Sequence, residues 1–489
     1  RAILARVAGS AATTTRYPLV MKALAVLLVA GAMGVAGCSS GAGEPSTTVS
    51  DPGSPTTSSP TTTLAPASSS IEDAPDLSLD GNIIWVVEVL NGAPTSSAEV
   101  SQRFSELLEQ YVPPTDFLVV VDQLRSDISK RWVETDRRVS GPTAEVALDT
   151  DDGAWAMAIS VQADGQIETL LLEPRSGEAQ GPPLTSFDDL VGRLERTGRS
   201  SVLVAEVTDG ACDPVYRYLD VVRPIASDFK LYVLGALADA ISRGEVAWDD
   251  TIVIDDRLKS LPSGTFQTRP EGSEATVLEF AQAMIAASDN TATDHLIDHL
   301  TRANVEAALA DYHMAEAALN MPFLTTREFF SLKLAVSDDV ADAYVAGDEA
   351  QRRALLSDEV AGSPATLSDA GAWVTPRRID DIEWFASPTS LCEAMVELIR
   401  TAEVPETAEI REILSRNPGT PFAETDWSYV GYKGGSEPGV LSLVWYLEAP
   451  DGRAYVFVVS VSNPDEPLPE ADLARLAGSA FDLIAELGD

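Results

Sequence analysis

Ser227 and Lys230 lie three residues apart at the head of an apolar stretch, and in a helix that spacing sets both side chains on one face. A serine hydroxyl is a poor nucleophile at neutral pH, and a desolvated lysine of lowered pKa is a base able to take its proton. The first turn of such a helix adds free backbone N–H groups and a positive field beside the hydroxyl, which suits a developing oxyanion. The chain holds only six lysines, which gives this one added weight. Sixty-one residues after Ser227, Ser288-Asp289-Asn290 follows an apolar helical pattern, and Lys433-Gly434-Gly435-Ser436 later closes a predicted strand. No Gly-x-Ser-x-Gly elbow, phosphate loop or Cys-x-x-Cys pair occurs, so rival hydrolase, nucleotide and zinc classes lack their anchors. His295 and His299 stand at i,i+4 with Asp298 beside them, without the glutamate of a zinc-protease helix, and read as a solvated face; His313 stands alone. No metal and no cofactor is expected.

Taken in order, Ser-x-x-Lys, Ser-Asp-Asn and a Lys-Gly-Gly-Ser close to Lys-Thr/Ser-Gly resemble the signature of class A β-lactamases and penicillin-binding proteins. The resemblance runs from about Ser200 to the C-terminus and includes Pro224 to Lys230, Arg243-Gly244-Glu245 with Asp249-Asp250, and Ser288 to Ala292. It implies that Ser227 is acylated, that Lys230 accepts its proton, and that the Ser288 hydroxyl passes a proton to the leaving group. Asn290 would orient Lys230 or the substrate amide, and Lys433 would supply positive charge for a substrate carboxylate and for Ser288. The N–H groups of Ser227 and Ser436 would form the oxyanion hole.

Two departures stand out. Gly434 occupies the place of the family's Thr or Ser, whose hydroxyl helps grip the substrate carboxylate. The deacylating carboxylate has one sequence match, Glu316-Ala317-Ala318-Leu319-Asn320, which falls earlier than the family's order of segments places it; Glu383 is a second candidate.

The elements that must position these residues read as α+β. A strand at Ser201 to Val207 and another at Val215 to Leu219 precede a long helix from Ser227 to about Arg243. Helices are expected at Ala275 to Ser288, Thr291 to Leu300 and Asn304 to Tyr312, with an inserted helical segment from about Thr325 to Val374. Strands at Ser428 to Tyr432, Val440 to Glu448 and Ala454 to Ser462 and a helix at Glu470 to Leu487 close the chain. A β-lactamase/transpeptidase-like domain over 198–489 is implied, its antiparallel sheet built from both ends around a helical lobe. Ahead of it, residues 76–190 read as helices at Ser97 to Tyr111 and Thr115 to Ser129, followed by strands around Trp132 to Val139, Ala144 to Leu148, Trp155 to Val161 and Ile167 to Leu172. Asp152-Gly153 and Asp164-Gly165 are turn signals there. This small α+β domain is similar in shape to the cone-like fold of the nuclear-transport-factor and steroid-isomerase group, and reads as a docking or substrate-shaping module.

The N-terminal region reads as an export signal. Lys22 precedes the apolar run Ala23 to Val35, and Val35-Ala36-Gly37-Cys38 is similar to a bacterial lipobox, which implies lipidation of Cys38 within a signal segment 1–38. Residues 1–20 are set aside as upstream translation or an extended n-region. Residues 39–75 are dominated by Ser, Thr, Pro, Gly and Ala, a composition that reads as a disordered tether. Acidic residues outnumber basic ones by 76 to 34, a net charge of −42 that excludes nucleic acid and unassisted binding to anionic membranes. Of three cysteines, Cys38, Cys212 and Cys392, one pair can bridge. The sequence therefore points to an exported lipoprotein on the outer face of the cell membrane, monomeric, acting on a small molecule or cell-wall peptide. A penicillin-binding or D-Ala-D-Ala peptidase-like protein, and a catalytically silent cell-wall-binding lipoprotein, remain alternatives. The whole is similar to actinobacterial lipoproteins related to the hydrolase-like protein of clavulanate biosynthesis.

Overall fold

The computed structural model describes residues 75–488, apart from 106–107, 110–111, 128–130, 141, 152, 163, 176–182, 421 and 423–424. The signal segment, Cys38 and the tether lie outside the described residues, as does Asp152 of the first expected turn. Contacts divide the described chain into one unit of residues 75–152 and 156–171, and a second of 172–488 with 153–155.

The first unit opens with a helix the sequence reading did not include, α1 (Leu79–Leu90), capped by the Ser78 hydroxyl on the Gly81 N–H. Its run Ile83-Ile84-Trp85-Val86-Val87 is apolar on successive residues, a pattern that reads equally as strand. The next expected helix is shorter than its pattern: α2 (Ser97–Arg103) stops where Phe104 turns extended to bridge Ile167. After α3 (Pro114–Asp127), strands β1 (Trp132–Ser140), β2 (Thr143–Thr150), β3 (Gly153–Val161) and β4 (Ile167–Arg175) lie side by side in chain order, as the turn signals imply. Trp85 stacks on Phe117 at 5.8 Å between centroids, and Phe104 meets Phe117 at 5.1 Å, fastening the helices to each other.

The second unit begins with α4 (Phe187–Leu194), β5 (Arg199–Thr208) and β6 (Ala211–Tyr218), and returns to the same sheet with β7 (Tyr429–Glu437), β8 (Val440–Glu448) and β9 (Ala454–Ser462). The sheet order is β7-β8-β9-β5-β6, antiparallel throughout. Both faces are covered, so its central strands are apolar at every step rather than alternately. Leu203, Ala205, Val444, Val456 and Val458 face one core, and Val202, Val204, Leu443, Trp445, Phe457 and Val459 face the other. Each Val, Leu or Phe among them, fully buried, contributes roughly 1.5–3 kcal/mol.

The first core holds the helical lobe: α5 (Lys230–Ser242), α6 (Val277–Ala286), α7 (Asn290–Leu300) and α8 (Pro388–Thr401). On α8 the buried Leu391, Ala394, Met395 and Leu398 keep the helical period, and Ser387 caps it ahead of Pro388. The expected insertion is helical, with turns at Thr326–Phe330, Ser331–Ala335, Asp338–Ala346, Glu349–Leu355, Leu356–Val360 and Leu367–Ala372. The second core is closed by α4 and α9 (Glu470–Gly478). The expected terminal helix is broken at Ser479-Ala480, and a second short helix, Phe481–Ala485, turns Phe481 onto Trp445. Cys212 of β6 and Cys392 of α8 form a disulfide. Among the described residues no helix is long and apolar enough to cross a membrane.

Candidate active site

The chain enters the site through a two-residue ribbon, Arg223–Pro224 against Phe385–Ala386, continued by the Ile225 N–H donating to the Trp384 carbonyl at 2.9 Å. Ala226 then takes a left-handed conformation, φ 42°, which costs a non-glycine residue of order 1 kcal/mol and holds only where the surroundings impose it. Glu383 lies beside this turn and accepts from the Trp384 N–H at 2.7 Å. Residues Ala226–Phe229 make one tight 3-10 turn before α5 begins at Lys230, so the expected helix starts with an overwound turn. Phe229 stacks on Trp384 with centroids 3.8 Å apart and fixes the direction of that turn.

Lys230 is fully buried. Its Nζ lies 3.1 Å from Ser227 Oγ and 3.1 Å from Ser288 Oγ, and donates to the Ser288 carbonyl at 2.5 Å and to Asn290 Oδ1 at 2.7 Å. Burial, and next the charge of Lys433, push its pKa well below the ordinary lysine value. A neutral amine there has two N–H groups, which the Ser288 carbonyl and Asn290 absorb, and one lone pair left for the two hydroxyls at 3.1 Å, those of Ser227 and Ser288. Asn290 is itself oriented by donating to the Leu261 carbonyl at 2.9 Å. Ser288 is left-handed, φ 51°, with its carbonyl gripped by the Ser263 hydroxyl at 2.7 Å. Asp289 caps α7 through the Ala292 N–H and holds the N–H groups of Thr265 and Phe266.

Lys433 approaches from the sheet. Its Nζ lies 3.0 Å from Ser288 Oγ and donates to its neighbour's carbonyl at Gly434. Burial lowers its pKa to about 8, with Asp228 opposing. The Ser288 hydroxyl thus stands between two amines. The strand does not close at Tyr432, as expected, but continues through the motif to Glu437. Its two glycines serve close approach: a Cβ at Gly435 would come within 2.4 Å of the Ser227 nitrogen and 2.5 Å of the Ile225 carbonyl oxygen. At Gly434 a Cβ would meet the Tyr432 hydroxyl at 2.0 Å. Ser436 is exposed and lies near Glu470, whose pKa burial raises to about 7.

The structure therefore brings Ser227, Lys230, Ser288, Asn290 and Lys433 together. The two carboxylate candidates are placed elsewhere. Glu316 accepts from the Ser390 hydroxyl at 2.8 Å, at the foot of α8. Glu383 is buried behind the nucleophile turn and faces Lys333, 3.8 Å away. Lys333, from the insertion, pairs with Glu437 at 2.5 and 2.7 Å and lies 4.4 Å from the Phe329 ring centre. Sequence reasoning missed this cluster; its one signal is a lone lysine, the only charged residue in the run Phe329 to Val336. Asp228 was also passed over. It is buried beside the two lysines, burial raising its pKa with Lys433 opposing. His295 corrects an expectation: it is buried, with Nε2 receiving the Asp255 N–H at 3.0 Å and Nδ1 2.7 Å from the Thr291 carbonyl oxygen, while His299 is exposed. Among the described residues no group of His, Cys, Asp and Glu is arranged to hold a metal ion.

Residues 186–484 match the family model described as Beta-lactamase enzyme family, and residues 74–167 match one described as ORF 12 gene product N-terminal. No curated protein matches the chain. Similar solved structures include a beta-lactamase from Sphaerobacter thermophilus DSM 20745, 20% identical, covering 61% of this chain and 97% of that one at a TM-score of 0.43. Another is a beta-lactamase from Chitinophaga pinensis DSM 2588, 16% identical, covering 62% and 97% at 0.42. A third, PBP-A, is 19% identical and covers 62% and 99% at 0.41.

Proposed function

Since the chain belongs to the beta-lactamase enzyme family through residues 186–484, we propose that it is an exported, lipid-anchored serine hydrolase cleaving an amide, β-lactam or ester through an acyl-enzyme on Ser227. The observation that carries this reading is the Lys230 amine 3.1 Å from Ser227 Oγ, with its other contacts donated to acceptors. Lys230 takes the Ser227 proton as Oγ attacks the carbonyl carbon. The oxyanion of the tetrahedral intermediate is received by the N–H groups of Ser227 and Ser436, which β7 can approach because residue 435 is glycine. The leaving group is protonated from Ser288, and the proton is replaced from Lys230 or Lys433.

Hydrolysis of the acyl-enzyme then needs an activated water. With Glu316 on Ser390 and Glu383 behind the turn, a slow second step is favoured, and with it a protein that behaves as a penicillin-binding or D-Ala-D-Ala peptidase-like acyl acceptor. A monomer acting on a small molecule or cell-wall peptide fits this reading, with no nucleic-acid partner. The disulfide supports export, because such bonds persist in oxidising compartments. Residues 76–190 serve as a cone-like docking or substrate-shaping module.

The test is intact-mass detection of fluorescent-penicillin or acyl-ester adducts on the full chain and on Ser227→Ala. Adducts confined to the chain with Ser227 support the reading. Their decay rate separates a β-lactamase from a penicillin-binding protein, and no adduct or turnover with either probe leaves the silent binding protein.

A further inference from the structure

Lys333 is fully buried and comes from the inserted segment, and its two carboxylate partners each lead to one of the N–H groups assigned above to the oxyanion hole. Glu437, which accepts from Lys333 Nζ at 2.5 and 2.7 Å, directly follows Ser436. β7 is an outer strand, and Glu437 pairs with Val440 across the two-residue turn that joins it to β8. Hydrogen-bonded and non-hydrogen-bonded pairs alternate away from such a turn, so Ser436, opposite Leu441, directs its N–H off the free edge. Side chains alternate too: from one face of β7, Lys433 reaches Ser288, the Gly435 position looks onto the Ser227 nitrogen, and Glu437 meets Lys333. On the other side of the hole, Glu383 lies 3.8 Å from the same Nζ and accepts the Trp384 N–H at 2.7 Å. The Trp384 carbonyl receives the Ile225 N–H at 2.9 Å and its ring stacks on Phe229, so Trp384 holds the chain on both sides of Ser227. Phe329, its ring centre 4.4 Å from Lys333 Nζ, stacks on Trp384 in turn.

Three ionisable groups taken out of water together do little for stability compared with apolar packing, but their directional bonds select one arrangement. Burial raises the pKa of both carboxyl groups, with Lys333 opposing. The strained Ala226, φ 42°, stands between the two points that Trp384 holds, and its conformation has to be imposed from outside. We propose that Lys333 is a positioning residue of the oxyanion hole: through Glu437 it fixes the strand end bearing the Ser436 N–H, and through Glu383 and Trp384 the turn bearing the Ser227 N–H. This role rests on the acyl-enzyme reading of Ser227. Oxyanion donors act only when held in place before the charge develops, and here one ammonium sets the distance between the two. The inserted segment thereby governs the covalent step and not the initial binding of substrate.

The test is acylation of the full chain by fluorescent penicillin or an acyl ester, resolved into the dissociation constant of the initial complex and the rate of the covalent step. Beside it, hydrogen exchange read by mass spectrometry follows the segments 224–229 and 433–438. Lys333→Met should slow the covalent step by about 10–10²-fold, as a misplaced donor does, and leave the initial complex unchanged. Both segments should exchange faster while β9 does not. Lys333→Met combined with Glu437→Gln removes one charge of each sign, so the double variant should regain stability while acylation stays slow; it also carries the test should the single variant fail to fold. Any of three results overturns the positioning role: a covalent step at the parent rate in Lys333→Met, acylation that returns with stability in the double variant, or faster exchange in fewer than both segments or equally throughout the sheet. A parent chain that forms no Ser227-dependent adduct sinks the acyl-enzyme reading instead, and exchange of the two segments then decides the positioning by itself.

Discussion

Lys230 and Lys433 share one serine hydroxyl, yet their environments separate their tasks. Lys230 is buried and repelled by its neighbour, so its amine is the form the fold favours; Lys433, with Asp228 opposing its burial, titrates at about 8. Acylation of Ser227 should therefore rise with pH as Lys230 loses its proton and fall again as Lys433 loses its charge near 8. Labelling rates measured on both sides of Lys433's value check this; a profile still rising above that value would refute its assigned charge role. Lys230→Ala should slow acylation by roughly 10²–10⁴. At Gly434 the missing family hydroxyl has a steric cause, because the Tyr432 phenol stands where a side chain would begin. Gly434→Thr is expected to cost about 1–3 kcal/mol of stability as an overpacked site. Pairing it with Tyr432→Ala should remove the steric part of that cost in urea unfolding, and equal losses from Gly434→Thr in both backgrounds would refute the clash.

At the scale of elements, the sequence was readable wherever pattern and environment agreed. Strands β8 and β9 have the expected bounds, and α8 carries its buried face at helical spacing. The reading stopped short where tertiary contact decides. The continuation of β7 through two glycines depends on the nucleophile turn it packs against, which lies two hundred residues earlier in the chain. The site divides in the same way. The three motifs were legible because each is local, while the Lys333, Glu383 and Glu437 cluster joins residues up to 104 positions apart. That cluster ties the insertion to the end of β7. Lys333→Met should cost about 3–5 kcal/mol, since it leaves a buried carboxylate without its partner. Equilibrium urea unfolding measures it, and a loss under about 1 kcal/mol would mean that Glu437 is held neutral without help.

For the whole molecule, the sequence set out a small α+β unit followed by a larger one, and the larger gathers its sheet from segments on either side of its helical lobe. Cys212 and Cys392 close a loop of 180 residues. Cys392→Ser is expected to remove about 2–5 kcal/mol, seen as a lowered Tm of the C-terminal transition, and an unchanged Tm would mean that the bond does not form in solution. The same bond fastens β6, the outer strand of the five-stranded sheet, whose side chains are largely exposed and whose ladder carries Pro214. An outer strand offers unpaired backbone groups to any passing chain. With the thiols reduced, only the β5 ladder and side-chain packing restrain β6, so aggregation by edge-to-edge pairing should set in before the sheet itself melts.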